Sequence, residues 1–175
     1  MNNALGLLPG KWTLYVLPPE YPKQLLISAA KFAQDSPLIV LDCGRQYDAS
    51  LVARAAHGQK EVTDRIFVQR AFICSEVVEL LLQTSAGKAP VLILDLLSTF
   101  CDENVKMSRR RFLLWVAVRN LQRLSRGVGL AVTTRLLSAT HESFSLFQFL
   151  RSMAPRVLHY EVPPAKDNTR QLSFF

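Results

Sequence analysis

Apolar segments of strand length alternate with longer segments of helical period along most of the chain. The apolar segments predict strands at residues 12–17, 37–42, 65–71, 91–97 and 129–134. The helical period predicts helices at residues 23–33, 49–57, 75–83, 108–126 and 143–153. Residues 156–162 and 170–175 predict a terminal β-hairpin around Pro163, Pro164, Asp167 and Asn168.

The predicted strands lack polar alternation, which is typical of strands that are buried on both faces. Their alternation with helices predicts one α/β domain over residues 1–175, with a mainly parallel sheet flanked by helices and a C-terminal β-hairpin. Ligands of such sheets bind beyond the carboxyl ends of the strands. The segments to examine for function are therefore 18–23, 42–45, 95–106 and 133–141.

Composition narrows the functional classes only partly. Hydrophobic residues make up 49% of the 175 positions, which is ample for a core, and the net charge of +7 favours either a polyanionic partner or simply a basic surface. No apolar run reaches the roughly 18 residues of a membrane span, and the N-terminus lacks the charged start of a signal peptide. We therefore expect no membrane partner and an intracellular protein, cytoplasmic or, in a eukaryote, nuclear.

Metal and nucleophile chemistry find little support in the residue pattern. Cys43, Cys74 and Cys101 lie far apart without a CxxC motif, so we expect buried free thiols rather than disulfides or a zinc site. The three histidines show no metal-ligand spacing, and no Ser/His/Asp or Cys/His nucleophile arrangement can be argued. The sequence predicts no metal and no catalytic residue.

The segment from Leu5 to Leu26, LGLLPGKWTLYVLPPEYPKQLL, resembles the start of the RecA/RadA recombinase core. There a Gly-Leu-Pro-x-Gly stretch leads into a strand, a phosphate loop and a helix. On the loop pattern G-x-x-x-x-G-K-[ST], Leu17 and Pro22 take the glycine positions, Lys23 takes the lysine and Gln24 takes the Ser/Thr. Only the lysine matches, so Lys23, Gln24 and Asp95 are predicted relics of a nucleotide site.

The departures remove what a phosphate loop needs. Backbone N–H groups hold the phosphates, and Pro18, Pro19 and Pro22 have none. Gln24 lacks the hydroxyl that ligates magnesium, and Glu20 adds a negative charge beside the phosphates. The other interpretation of this segment is an ordinary strand–turn–helix with Pro22 at the first helical position.

Further motifs carry the resemblance along the chain. Residues 91–95, VLILD, are similar to the strand ending in the acid that holds the magnesium shell in the family, although Asp95 could also cap the following turn. Residues 65–72, RIFVQRAF, are similar to the strand ending in Arg-Ala-Phe/Tyr. Residues 108–111 (SRRR), 121–125 (LQRLS) and 127–134 (GVGLAVTT) follow the family order. The resemblance implies a RecA-like, P-loop-NTPase-type core.

Two further departures concern catalysis. The strand at residues 129–134 runs into Thr133-Thr134-Arg135 where the family has Thr-Asn-Gln, and its Gln senses the γ-phosphate. Residues 42–45, DCGR, lack the family's catalytic glutamate. We therefore expect a pseudo-ATPase without a cofactor. The chain also lacks the family's N-terminal DNA-binding domain and polymerisation linker, so we expect no long filaments.

In the family, two loops hold DNA, and here they map to residues 101–108 and 135–144. Phosphate contacts need Lys or Arg, and stacking needs aromatics. Arg119, Arg123 and Arg126 share one face of the predicted helix at 108–126, which we interpret as solvated, while Phe112, Val116, Trp115, Leu121 and Leu124 are predicted to form its apolar side. Phe144 and Phe147 are predicted to be core or interface aromatics. The candidate DNA-binding residues are Lys106, Arg109, Arg110, Arg111, Arg135 and His141.

Three functions follow from these observations. The first is a non-hydrolysing, recombinase-paralogue-like protein of DNA recombination or repair that binds single- or double-stranded DNA, a recombinase partner, or both. The second is a structural subunit of a RecA-like oligomer, hetero- or homo-oligomeric, such as the Elongator-type scaffold that binds RNA or protein. The third is an ATPase only in a composite site, where a partner supplies the missing groups.

Overall fold

A computed structural model describes residues 5, 7, 9–19 and 21–160, and its centre is a six-stranded sheet. The strand order is β3-β2-β4-β5-β1-β6, and every neighbouring pair is parallel. The strands are β1 (Trp12–Leu17), β2 (Leu38–Asp42), β3 (Ile66–Arg70), β4 (Val91–Leu94), β5 (Leu130–Arg135) and β6 (Arg156–His159). The helices are α1 (Tyr21–Ala33), α2 (Ala49–Ala55), α3 (Lys60–Thr63), α4 (Cys74–Gln83), α5 (Met107–Ser125) and α6 (Phe144–Met153), with a 3-10 helix at Ser98–Cys101.

The strand order decides which helices cover which face. The connections after β1 and β2 run toward the β3 side of the sheet, and those after β3, β4 and β5 run the other way. Right-handed crossovers therefore place α1–α3 on one face and α4–α6 on the other. Two separate apolar clusters result, one on each face, and Trp12, Phe100 and Phe147 are the largest apolar side chains in them. The mainly parallel α/β fold predicted from the sequence is confirmed.

Most element boundaries differ from the prediction by one to three residues, α3 was not predicted, and two of the differences concern the ends of strands and helices near the predicted site. The fourth strand ends at Leu94 and not at Leu97, because Asp95 adopts a left-handed backbone with φ 49°. The first helix begins at Tyr21, so Pro22 is not its first residue. Of the predicted hairpin, the first arm forms β6, which pairs in parallel with β1, and the second arm lies outside the described residues.

The side of α5 that faces the core was predicted only in part. Leu121 and Leu124 are buried as expected, but Phe112 and Trp115 are 56% and 50% exposed. The rest of the buried stripe consists of Leu113, Leu114, Ala117 and Val118. Phe147 is buried as expected.

Arg119, Arg123 and Arg126 are exposed, as the interpretation of a solvated face predicts. Arg123 also has partners inside the protein. Arg123 donates from Nη2 to the carbonyl oxygens of Leu81 and Thr84, at 2.7 and 3.4 Å. These carbonyls belong to the C-terminal end of α4, where helices leave acceptors unpaired. Arg123 therefore connects α5 to α4.

Other expectations from the sequence concern the thiols and membranes. The three cysteines are free, with Cys43 and Cys74 buried and Cys101 partly exposed. In the described part of the chain, His, Cys, Asp and Glu side chains form no cluster that could hold a metal ion. None of the helices described above has both the length and the apolar character needed to cross a membrane.

The orientation of α5 can be tested by two truncations. We expect Leu121→Ala to lower the free energy of unfolding by about 2–5 kcal/mol, because it opens a cavity in the core. Trp115→Ala should cost less than about 1 kcal/mol, because half of its side chain is already in water. Urea denaturation of both variants measures the difference, and equal losses would contradict the orientation of α5.

Candidate functional site

Four charged residues lie in a row at the carboxyl edge, which we define as the edge formed by the carboxyl ends of the parallel strands. In the order of the strands β3, β2, β4 and β5 they are Arg70, Asp42, Asp95 and Arg135. The two carboxylates lie on or after the neighbouring strands β2 and β4, whose connections leave toward opposite faces. Such a divergence opens a crevice where α/β proteins bind ligands.

Asp42 is fully buried, and protein groups bind both of its carboxylate oxygens. Oδ1 accepts from the Gln46 amide at 2.9 Å, and Oδ2 accepts from the Tyr47 amide at 3.2 Å. Arg70, directly opposite in the β2–β3 register, adds Nε and Nη2 on Oδ2, each at 2.9 Å. These contacts supply hydrogen-bond partners and an opposite charge to a carboxylate that is shielded from water.

Asp95 is also buried, and its Oδ2 lies 2.9 Å from Arg135 Nε. The Gln46 side-chain amide donates to the same oxygen at 3.3 Å, and the Asp95 amide donates to Thr133 Oγ1 at 2.9 Å. Burial raises the pKa of the Asp95 carboxyl, while the charge and hydrogen bonds of Arg135 lower it. The pKa remains above the ordinary value, so burial is the larger effect.

Gly44 makes this packing possible. A Cβ at position 44 would lie 2.5 Å from Asp95 Cβ and 2.8 Å from Asp95 Oδ2, closer than non-bonded atoms can approach. The neighbouring Cys43 thiol has a pKa raised far above its usual range by burial and by the charges of Asp42 and Asp95. Cys43 is therefore a packing residue and not a reactive thiol.

The turn after β1 is short and rich in proline. Pro18 and Pro19 follow β1 directly, and the Tyr21 amide donates to the Pro18 carbonyl at 3.1 Å. Pro22 has no amide hydrogen, Glu20 lies outside the described residues, and the side chains of Lys23 and Gln24 are exposed. Asp95 is therefore the one predicted relic residue that makes contacts inside the carboxyl edge.

Arg110 differs from the other candidate DNA-binding residues, because it is 1% exposed. Its guanidinium pairs with Glu142 and donates to Ser143 Oγ at 3.1 Å and to the Phe100 carbonyl at 3.4 Å. These partners belong to the two segments that follow β4 and β5. Arg110 therefore connects these two segments inside the protein. Because it is buried, it is not available for direct contact with DNA.

The remaining candidates divide by their partners. Lys106, Arg109 and Arg111 are exposed at the start of α5, and Arg111 also donates to Ser145 Oγ at 3.3 Å. Arg135 is half exposed, but its guanidinium is paired with Asp95. His141 Nδ1 accepts from the Ser143 amide at 3.0 Å, which fixes the ring against its own loop. The structure thus leaves three exposed cations, one of them hydrogen-bonded to Ser145, at the end of α5 that adjoins the carboxyl edge.

Sequence reasoning missed Arg70 and Gln46 as site residues. Arg70 was part of the Arg-Ala-Phe resemblance but received no role, because its position opposite Asp42 depends on strand register. A helical projection of α5 could have found Phe112 and Trp115 on the exposed side, since the larger set of aliphatic residues lies opposite them.

Two solved structures are similar to this chain in fold. The crystal structure of the RadB recombinase matches 91% of this chain and 78% of its own, with a TM-score of 0.67 and 14% sequence identity. The fold is RecA-like. The structure of a unique ATP synthase subunit, NeqB from Nanoarcheaum equitans, matches 89% of this chain and 46% of its own, with a TM-score of 0.52 and 12% identity. No protein-family model and no curated protein matches the chain by sequence.

The Arg135–Asp95 pair gives a pH-dependent prediction. Because the folded-state pKa of Asp95 is raised, this group contributes stability that is present at low pH and is lost as the pH rises through that pKa. Arg135→Met should raise the pKa further, because it removes the charge that lowers it. We expect Arg135→Met to lower the free energy of unfolding by about 1–2 kcal/mol near neutral pH. This is less than the cost of breaking a fully buried ion pair, because Arg135 is half exposed.

Urea denaturation between about pH 8 and about pH 4 checks this prediction. The destabilisation should shrink as the pH falls and Asp95 becomes protonated in both proteins. Asp95→Asn in the Arg135→Met background should remove the pH-dependent part of the difference. A loss that does not change with pH would show that the pair is not responsible.

Arg110→Met tests the connection between the two segments. Replacing the guanidinium leaves the Phe100 carbonyl and Ser143 Oγ without this donor. We therefore expect the free energy of unfolding to fall by about 1–3 kcal/mol. Hydrogen exchange at residues 136–143 should become faster as well. Arg109→Met is the matched control, because Arg109 is exposed one position earlier, and it should change neither measurement. Equal effects of the two substitutions would contradict the role of Arg110.

Proposed function

We propose that this protein is a RecA-like protein that binds nucleic acid without hydrolysing ATP and acts in DNA recombination or repair, together with DNA, a recombinase partner, or both. The observation that carries the proposal is the pairing of Asp95 with Arg135. In the recombinases that the sequence resembles, the acid at this position holds magnesium. Here an internal cation already neutralises it.

The contacts at the carboxyl edge argue against a magnesium–ATP ligand. A metal ion at Asp95 Oδ2 would have to displace Arg135 and the Gln46 side-chain amide from this oxygen. Asp42 offers no free oxygen in exchange, since Arg70 and two backbone amides bind it. The residues present do not fit the group, and we derive no catalytic step through it.

The turn after β1 supports the same conclusion. Phosphate loops point several consecutive N–H groups at the phosphates, and three prolines here contribute none. The Tyr21 amide donates to Pro18 within the turn. A composite ATP site shared with a partner would have to supply most donors from outside this chain.

Nucleic-acid binding is supported by the distribution of free cations. Lys106, Arg109 and Arg111 lie together and exposed at the end of α5 that adjoins the carboxyl edge. The adjacent Asp102 carboxylate accepts from Asn104 at 2.9 and 3.0 Å, so it is partly satisfied locally. A chain with a net charge of +7 attracts polyanions, and these three exposed cations can contact phosphates.

A filter-binding titration with single-stranded and duplex DNA at rising salt tests the nucleic-acid part. We expect affinity to fall as salt rises, because bound counterions are released. Replacing Lys106, Arg109 and Arg111 by alanine should reduce the slope of log affinity against log salt by about 2–3. The matched control replaces Lys31, Arg54 and Lys60, three exposed cations of α1–α3 on the opposite face. Binding that is absent at low salt, or equal losses in both variants, would reject this part.

Thermal melting with magnesium–ATP tests the non-hydrolysing part. A ligand at about one hundred times its dissociation constant stabilises a protein by about 2.7 kcal/mol. We expect no shift in melting temperature and no release of phosphate, with or without DNA. A clear shift would instead favour the composite-site ATPase.

A structural role in a RecA-like oligomer is the second candidate, and one observation favours it. Exposed apolar side chains concentrate around the edge strand β3 and the start of α4, namely Phe67, Val68, Phe72 and Ile73. Patches of this kind are typical of protein interfaces. Light scattering combined with size exclusion separates the candidates, because a monomer at all concentrations, with DNA binding intact, would reject a self-assembling scaffold.

A further inference from the structure

The outer side of α5 and the neighbouring α6 form a surface of which the proposed function uses only Arg111. Trp115, Leu146 and Phe149 line a cleft of about 220 Å³ between the two helices, and Arg111 and Ser145 complete it. Phe112 stands next to this cleft, with its ring centroid 6.4 Å from that of Trp115 and the ring planes 24° apart. We call these six residues the α5–α6 cleft.

Cations are placed on the aromatic residues of this cleft. The Arg119 guanidinium lies over the Trp115 ring, 5.9 Å from its centroid, one helical turn beyond it. Arg111, one turn before Trp115, donates to Ser145 Oγ at 3.3 Å and is thereby held at the rim. An exposed indole therefore has an ordered arginine on each side along the helix axis.

The electrostatic character of the surface is one-sided. Neither α5 nor α6 contains Asp or Glu, while α5 carries five arginines and α6 carries Arg151. The neighbouring Glu142 is paired with the buried Arg110, so it does not oppose the arginines at the cleft. The occupant that complements this surface has negative charge spaced along its length and flat apolar groups between the charges.

We propose that the α5–α6 cleft is a binding site for single-stranded nucleic acid, in which a base enters the cleft against Trp115 and Phe149 and the flanking phosphates contact Arg111 and Arg119. This inference rests on the proposed nucleic-acid binding and adds a base-stacking site away from the loops that follow β4 and β5. The occupant is single-stranded because the faces of bases in a duplex are covered by their neighbours. Ser145 and Arg111 offer hydrogen-bonding groups at the rim for the edge of the base.

The cleft continues the basic cluster at the start of α5. From Lys106 to Arg119 the helix axis rises by about 20 Å, at 1.5 Å per residue. Lys106, Arg109, Arg111 and Arg119 are exposed along this length, and Phe112 and Trp115 lie between them. Cations and ring faces that follow one another along a helix can hold a strand without reading its sequence.

The two tryptophans make the proposal directly measurable. Trp12 is fully buried in the sheet, and Trp115 is half exposed in the cleft. A stacked base quenches the emission of the indole it covers, so quenching by an oligothymidylate reports on Trp115. We expect saturable quenching in the wild-type protein, no quenching in Trp115→Phe, and an affinity about tenfold weaker in Trp115→Ala by filter binding.

Matched variants separate the cleft from exposed residues elsewhere. Phe67→Ala removes another exposed aromatic residue, on β3 at the far side of the sheet, and should leave oligothymidylate affinity unchanged. Arg119→Ala should weaken binding and reduce the salt slope by about one, whereas Arg54→Ala on α2 should do neither. Circular dichroism of each variant confirms that the fold is intact.

Several outcomes would overturn the inference. If oligothymidylate binds but Trp115→Ala binds it equally well, the cleft is not the site, while the proposed function stands. Equal quenching by a duplex of the same length, or by poly-L-glutamate, would show that charge rather than bases is recognised. If neither nucleic acid binds at low salt, the inference and the nucleic-acid part of the proposed function fail together.

Discussion

The buried carboxylate of Asp95 imposes the constraint on which the carboxyl edge depends. A charge that is removed from water at the end of a central strand needs a close opposite charge and further hydrogen bonds. Arg135 on β5 supplies the charge, and the Gln46 side chain donates to the same carboxylate oxygen. Gly44 has to lack a side chain because Asp95 occupies the space. The loops after β2 and β4 and the end of β5 are thus packed around one ion pair.

Most of the fold could be predicted from hydrophobic patterning, because strands that are buried on both faces and amphipathic helices leave strong signals. The strand Trp12–Leu17 was predicted with the bounds that the structure has. The end of β4 could not be placed, because the left-handed backbone of Asp95 results from its contacts and not from the preceding apolar run. The pairing of Asp42 with Arg70 was also beyond sequence reasoning, since it depends on the register of β2 with β3.

The error on α5 has a different origin. Large apolar residues were assigned to the core by type, although a helix has room for only one buried stripe. Leu113, Leu114, Ala117 and Leu121 fill that stripe, and Phe112 and Trp115 fall on the opposite side. Arg110 shows the reverse case, since a residue in a basic run is buried because Glu142 and Ser143 offer it partners. Spacing could have identified the exposed aromatics, but only tertiary contacts identify a buried arginine.

The same contacts limit where a polyanion can bind. Arg70 and Arg135 neutralise the carboxylates of the carboxyl edge, and Arg110 and Arg123 are bound to acceptors inside the protein. Carboxylates balance the charges of Arg70, Arg135 and Arg110, so these arginines add little to the attraction of a distant phosphate. Arg123 keeps its charge, but its Nη2 is occupied by backbone carbonyls and is not free to donate to a phosphate. The attraction on this face of the sheet must come from arginines without such partners, and those lie along the exposed side of α5. In a RecA-like core whose strand-end carboxylates are paired with arginines, binding of a polyanion is therefore expected to move outward, from the strand ends to the helix that follows β4.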